Sequence, residues 1–419
     1  MKAEIMDLKP YLPQLSVAER DRRWSATRER MAAKGLDCLV VWGNTISQGL
    51  GMTNVRYLTQ VGSWHGGVAL FPLAGEVTLF SAPRHMSLPY NGYLAAQDWI
   101  QDIRPFSMKA IVEEIKARGF ERGRIGVVSY GNVVAGNNLT YHDYLALQAG
   151  LPQAAFTDES EMVEELRRTK SPEEIAMLEK SGAIARKVVD TMIQTAAPGV
   201  RENELYAAMI RTQLVEGAEP NIFILMSSGP LGTNGDLKRR LLHGNDQPLC
   251  PSQRPLERGD LVICEFHVSY GGYLSAVEFT VAVGKPPQEL RDLHAAAVEC
   301  LQAAVEKCCP GTTVHQLAAA MRAPVARRGL DYIELGFHNH GLSSADFPTI
   351  VYKPGWGRMA GDGMPDFALE EHMVLGTNID IYNPHWRGDV GVMLGDTLHV
   401  TSSGGRRLVG IPLELPVKN

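Results

Sequence analysis

The run DLVICEFHVSYGGYLSAVEFTVAVG, residues 260–284, constrains the fold more than any other part of the chain. Two apolar stretches rich in β-branched and aromatic residues flank Gly271-Gly272, the composition of two strands joined by a tight turn. Side chains two apart on a strand share a face. Glu265 therefore points with Ile263 and His267, and on the return strand Ala276, Glu278 and Thr280 share a face. If those faces meet, two carboxylates converge on one pocket. Like charges that close push one pKa upward, leaving one ionised carboxylate beside one protonated acid near neutral pH. The alternative from the hairpin alone is a solvated Glu278 and a Glu265 paired with an arginine.

The hairpin sits in a chain of 419 residues, more than one hydrophobic core usually supports, so two domains are expected. Before it, a charged helix over 17–34, an apolar strand over 36–42, a hairpin around 73–76 and a strand over 125–129 make an α/β domain, placed at 1–158. Ser171-Pro172-Glu173-Glu174 then supplies an N-cap, a proline at the first helical position and a capping-box glutamate. The long helix it opens has apolar positions at Ile175, Leu178, Ile184 and Val188 and stops at Pro198-Gly199. A helix over 202–216, strands over 222–226, 260–268 and 273–283, helices over 287–307 and 313–328 and a late β region complete a second, α+β domain at 159–419.

The formal net charge of −6 gives no basic field for a phosphate backbone, which argues against nucleic acid as a partner. The opening MKAEIMDLKPYLPQL lacks the apolar core of a signal peptide, and no apolar run is long enough to span a bilayer, so a cytoplasmic protein without a membrane partner is expected. Six cysteines are scattered without a CxxC spacing, which points to reduced, packed thiols. SSGPLGTNGD at 227–236 has glycines but no strand-to-helix phosphate geometry and reads as a loop on the substrate side.

The hairpin resembles the metal-binding hairpin of the peptidase M24, or pita-bread, superfamily of methionine aminopeptidases, prolidases and creatinase. LRRTKSPEEIAMLEKSGAIA resembles that family's entry into its catalytic domain, HNHG at 338–341 its histidine loop, and HMVLGTNID and GVMLGDTLHV its two closing strands. The first domain is similar to the one that precedes the catalytic domain in prolidases and creatinase. The resemblance covers essentially the whole chain and implies an N-terminal α/β domain followed by a pita-bread catalytic domain.

In the metallopeptidases of this family, two aspartates, a histidine and two glutamates hold two metal ions. Here those positions read Glu265, Ala276, His340, Asn378 and Gly395. Alanine and glycine supply no ligand oxygen, so loss of the metal and no cofactor are expected. The site pattern is closest to the metal-free members creatinase and ectoine hydrolase. Creatinase implies that Glu278 grips a cationic substrate group and points, loosely, to His243 in RRLLHGNDQP as acid and base. Ectoine hydrolase implies that Glu265 attacks the substrate. Asn378 replaces a creatinase glutamate, so creatine is not the expected substrate.

The expected activity is metal-independent hydrolysis of a C–N bond, in an amidine, cyclic amidine or amide, within a small polar substrate. Glu265 serves as nucleophile or base, His243 or His340 delivers the proton, Glu278 holds a cationic nitrogen and Asn378 orients a polar group. His267 and His338 are further substrate-binding candidates. Among 12 histidines, those placed by the motifs carry this reading. GSWHGG at 62–67 matches a loop that creatinase inserts into its partner's site, which makes Trp64 and His65 substrate-binding candidates and implies a homodimer with a shared active site. SSADFPTIVYKPGWGR suggests an aromatic wall with one cation, from Tyr352, Trp356 and Arg358, and hence a carboxylate on the substrate. Asp380 and Asp396 read as organisers of backbone. Two other readings stand beside this one: an Xaa-Pro-peptidase-like enzyme or lyase with a reduced metal site, and a non-catalytic binding homologue.

Overall fold

Ser16 opens the first helix by accepting the backbone N–H of Glu19, and Gly35, at φ 66°, closes it in the left-handed conformation that glycine adopts without strain. In the computed structural model, which describes residues 7–44, 50–62, 66–81, 96–129, 139–220, 223–231 and 240–419, this helix belongs to the first of two units, Met1–Glu173 and Glu174–Asn419. The first unit runs α1 (Val17–Lys34), β1 (Cys38–Gly43), α2 (Thr53–Thr59), β2 (Gly67–Pro72), β3 (Thr78–Ser81), β4 (Asp102–Arg104), α3 (Met108–Ala117), β5 (Arg124–Val128), α4 (Tyr141–Gly150), β6 (Ala155–Asp158) and α5 (Ser160–Leu166). Its sheet has the order β4-β3-β2-β1-β5-β6. Strand β1 lies antiparallel to β2 and parallel to β5, and the turn expected around 73–76 joins β2 to β3.

Proline at its first position starts α6 (Pro172–Thr195), whose Ile175, Leu178, Ile184 and Val188 are all buried, as their helical spacing predicts. After α7 (Glu202–Val215) and β7 (Ile224–Pro230) come the hairpin strands β8 (Asp260–Tyr270) and β9 (Tyr273–Val283), then helices α8 (Gln288–Lys307) and α9 (Val314–Arg327). Strands β10 (Asp331–Asn339), β11 (Asp346–Ile350), β12 (Val374–Asn383), β13 (Arg387–Met393), β14 (Thr397–Thr401), β15 (Gly404–Arg407) and β16 (Val417–Lys418) follow. They form a four-stranded sheet, β16-β9-β8-β7, and a second sheet, β11-β10-β12-β14-β15, with β13 paired to β12. A bridge between Glu278 of β9 and Gly395 ties the two sheets together.

Both hairpin strands are buried almost throughout, so each alternates between an apolar face packed into the core and a face turned toward the other sheet. In β8 and β9, Ile263 lies opposite Thr280, Glu265 opposite Glu278 and His267 opposite Ala276. The faces expected to meet do meet, and among the described residues neither glutamate pairs with an arginine. No helix among the described residues is long and apolar enough to cross a membrane. The six cysteines are free thiols, and burial raises Cys38, Cys300 and Cys308 to about 12, which keeps them protonated.

His294 on α8 is 3% exposed, and burial lowers its pKa from 6.5 to about 4. The unfolded chain therefore binds a proton there before the folded one does. The contribution of His294 to stability is full above pH 6.5 and is lost as the pH falls toward 4. His294→Leu is expected to stabilise the protein at pH 5 by roughly 2 kcal/mol more than at pH 8. Denaturant melts of both proteins at the two pH values check this, and an equal shift at both would refute it.

Candidate active site

Two cross-strand pairs of acids build the site. Glu265 and Glu278 face each other on the hairpin, and Glu334 and Asp380 face each other on β10 and β12. Like charges directly opposite on neighbouring strands destabilise a sheet, so two such pairs in one buried place mark a functional arrangement. Asn378 holds them together. Its Nδ2 donates to Glu278 Oε1 at 2.7 Å and to Glu334 Oε2 at 3.0 Å, while Glu278 Oε2 accepts the backbone N–H of Ile379 at 2.7 Å. Glu334 Oε1 also accepts the Tyr352 hydroxyl at 2.8 Å.

His243 enters from a short 3-10 turn, Gly244–Asp246. Asp246 accepts the backbone N–H groups of Leu242 and His243, Ser227 donates to the carbonyl of Gly244, and the Nδ1 of His243 accepts the backbone N–H of Asn245 at 3.0 Å. Because Nδ1 accepts, the ring's proton sits on Nε2. That atom lies 3.3 Å from Glu334 Oε1, 3.5 Å from Asp380 Oδ2 and 3.8 Å from Glu265 Oε2. Burial favours the neutral ring, but Glu334, then Glu265 and Glu278, outweigh it and raise the pKa to about 9. A second proton on the ring has to break the Nδ1 bond to Asn245.

His267 stacks flat on Phe223, with ring centroids 3.9 Å apart, and its Nε2 lies 3.6 Å from Glu265 Oε1. His340 meets His267 edge-on at 6.0 Å and stacks on His338 at 4.6 Å. His338 hydrogen-bonds the Asn378 side chain, and burial lowers its pKa to about 4, so it is neutral in ordinary buffers. Burial and the charges of Glu265 and Glu334 hold Glu278 well above the usual carboxylate range. Burial together with Glu278, Glu334 and Glu265 does the same to Asp380. Among the four acids, Glu265 is the one that no hydrogen-bond donor satisfies while it keeps an opening to solvent, at 7% exposure.

Family profiles match both halves of the chain: the creatinase/prolidase N-terminal domain over residues 23–169 and the metallopeptidase family M24 over residues 176–402. The chain belongs to the M24 family. It is 30% identical over 259 residues to the Xaa-Pro dipeptidase of Pyrococcus furiosus, covering 61% of this chain and 67% of that one. It is 24% identical over 417 residues to the ectoine hydrolase of Halomonas elongata, covering 95% and 96%. The crystal structure of the prolidase from Pyrococcus horikoshii OT3 shares the fold, with a TM-score of 0.72 at 24% identity over 94% of this chain and 99% of that one.

The two-metal cradle that the M24 name implies does not fit the side chains present. At Gly395 a Cβ would lie 2.2 Å from the carbonyl oxygen of Thr377 and 3.1 Å from Glu278 Oε2, so the backbone leaves no room for a ligand there. Ala276 offers no donor, and Asn378 presents amide N–H groups to two carboxylates. His243, Glu334 and Asp380 have ligand atoms within 4.8 Å of one another, a spacing suited to a cation. An ion on His243 Nε2 would require Nδ1 to carry a proton and give up its bond to the Asn245 N–H, as protonation of the ring also does.

The structure brings Glu265, His243, Glu278, His340, His267, His338, Asn378 and Tyr352 into one site. Trp356 stacks on Tyr352 at 5.3 Å but is 68% exposed, and Arg358 is exposed on the following turn. Trp64, His65 and 232–236 of the expected substrate-side loop lie outside the described residues. Two site residues escaped the sequence reading. Glu334 precedes His338 by four on β10, so period-two alternation puts both on one face, and Asp380 stands two beyond Asn378. Asp380 was expected to organise backbone, but no backbone N–H reaches it. Asp396 does that work, accepting from Val409, Gly410 and Ile411 and pairing with Arg407.

Proposed function

We propose that this M24 hydrolase breaks the C–N bond of an amidine, cyclic amidine or amide in a small polar substrate without a metal ion. The observation that carries the reading is the contrast among the four acids. Glu278 and Glu334 are bound by Asn378, Ile379 and Tyr352, while Glu265 stands unsatisfied between His243 Nε2 and His267 Nε2. In this scheme the Glu265 carboxylate takes a proton from water as the water oxygen adds to the substrate carbon. His243, charged once a second proton has displaced its Nδ1 bond to Asn245, gives its Nε2 proton to the departing nitrogen as the C–N bond breaks, and recovers one from Glu265 across 3.8 Å. One water is consumed and one amine released, with the enzyme's protons restored. The likeness to ectoine hydrolase over almost the whole chain supports a non-peptide substrate; the likeness to the Xaa-Pro dipeptidase supports the alternative.

The test is amine release from a panel of amidines, cyclic amidines, amides and Xaa-Pro dipeptides, run with and without chelator. Turnover of an amidine or amide that persists in chelator is expected. Turnover confined to dipeptides and dependent on added manganese or cobalt would overturn the reading. A single turnover in ¹⁸O-water then tests for oxygen transfer: an unlabelled first product means that an oxygen of Glu265 was transferred, and label there means that water added to the substrate carbon.

A further inference from the structure

We infer that Gly376 is a positioning residue of this site: its missing side chain makes the seat of the His340 ring, and through that ring Gly376 fixes both the imidazole beside Glu265 and the imidazole that bonds Asn378. The inference adds a residue to the proposed hydrolysis and rests on that reading only for its effect on turnover.

Gly376 stands on β12 two residues before Asn378 and four before Asp380, so alternation turns all three positions to one face. Its partner across the ladder on β10 is His338, and two residues further on the N–H of His340 donates to the carbonyl oxygen of Val374 at 2.7 Å. His340 and Gly376 are therefore diagonal neighbours on the same face. The His340 ring lies across the glycine. A Cβ at 376 would be 2.1 Å from Nε2 and 2.4 Å from Cδ2, so the ring fills the volume that a side chain there would occupy. Backbone conformation does not ask for glycine, because the φ of Gly376 lies outside the left-handed region, in a strand open to any residue. Glycine inside a strand weakens it and marks a close approach, and here the approaching group is the imidazole.

The ring so seated joins two parts of the site. On one side it stacks on His338, with centroids 4.6 Å apart, and His338 bonds the Asn378 amide that donates to Glu278 and Glu334. On the other it meets His267 edge-on at 6.0 Å, and the Nε2 of His267 lies 3.6 Å from Glu265 Oε1. His340 is fully buried, so a methyl group at 376 has no solvent into which to push the ring. The displacement passes to His338 and His267, and from them to Asn378 and Glu265. Misplacing groups around a reacting centre by even an ångström is costly in rate.

Gly376→Ala, His340→Ala and the double variant, made in the full chain and read by melting temperature and by kcat on a panel substrate, form a double-mutant cycle. Gly376→Ala alone is expected to melt about 5 °C below the parent and to lose at least about tenfold in kcat. With the ring gone the methyl group has room, so the double variant should match His340→Ala in both readings. Gly182→Ala on α6, whose Cβ would lie 2.5 Å from the Leu408 carbonyl oxygen, is the control for instability alone, with a lower melting temperature and unchanged kcat. An equal cost of Gly376→Ala with and without the ring, or no cost with it, would overturn the seat. A kcat loss no larger than that of Gly182→Ala would overturn the positioning role. Should Gly376→Ala fail to fold, a folded double variant supports the seat, and a double variant that fails where His340→Ala folds overturns it. If the parent turns over no panel compound, the hydrolytic reading fails and the melting cycle alone decides the seat.

Discussion

Glu265→Gln is expected to lower kcat by about 10²–10⁴-fold, the range for removing a general base, with the fold intact. The side chain is only 7% exposed, yet among the described residues its oxygens accept no hydrogen bond, and they lie 3.8 and 3.6 Å from the Nε2 atoms of His243 and His267. An isosteric amide therefore costs no existing contact, and it removes charge from a crowded acidic site. Its thermal stability should equal or exceed that of the parent. Thermal melts beside initial rates on a substrate from the panel make the check: full activity in the variant excludes Glu265 as base or nucleophile, and a large loss of stability shows that the carboxylate serves the fold instead.

Gly395→Ala should damage the protein severely for a single added methyl group. The new Cβ would meet the Thr377 carbonyl oxygen at 2.2 Å and the Glu278 side chain at 3.1 Å, where backbone and a buried, doubly bonded carboxyl cannot step aside. The expected loss is about 3 kcal/mol, the upper part of the range for overpacking a well-filled interior. Gly395→Glu, which replaces the missing family carboxylate, should fail for the same reason and recover no metal binding. Urea melts of both variants decide this. A stable Gly395→Glu protein that takes up metal would show that the strand can reopen the cradle.

Much of this geometry was legible because strands obey a short rule. Alternation placed Glu265 with His267 and Glu278 with Ala276, and the adjacent glycines set the turn that makes Glu265 and Glu278 direct partners. The same alternation applied to 334–340 and 378–380 would have added Glu334 and Asp380, whose cross-strand pairing no local pattern announces because they lie 46 positions apart in the chain. What the sequence could not carry is the proton arrangement. Whether Asn378 orients a substrate or two acids depends on where its amide points, and the tautomer of His243 depends on a backbone N–H two residues along. Closure of the Gly395 position likewise depends on the path of Thr377, a neighbour only in the folded sheet. The resemblance pointed to positions 276, 378 and 395, where family ligands are replaced; the folded chain shows which acids and amide groups surround them.

In the proposed mechanism this acid-rich pocket moves protons and holds no metal ion. The most direct measurement is metal content by elemental analysis, after the protein has been equilibrated with manganese, cobalt and zinc and freed of unbound ions, with Glu265→Gln and His340→Ala run alongside. Far less than one ion per chain is expected in all three proteins. One or two ions per chain in the parent, lost in either variant, would contradict it.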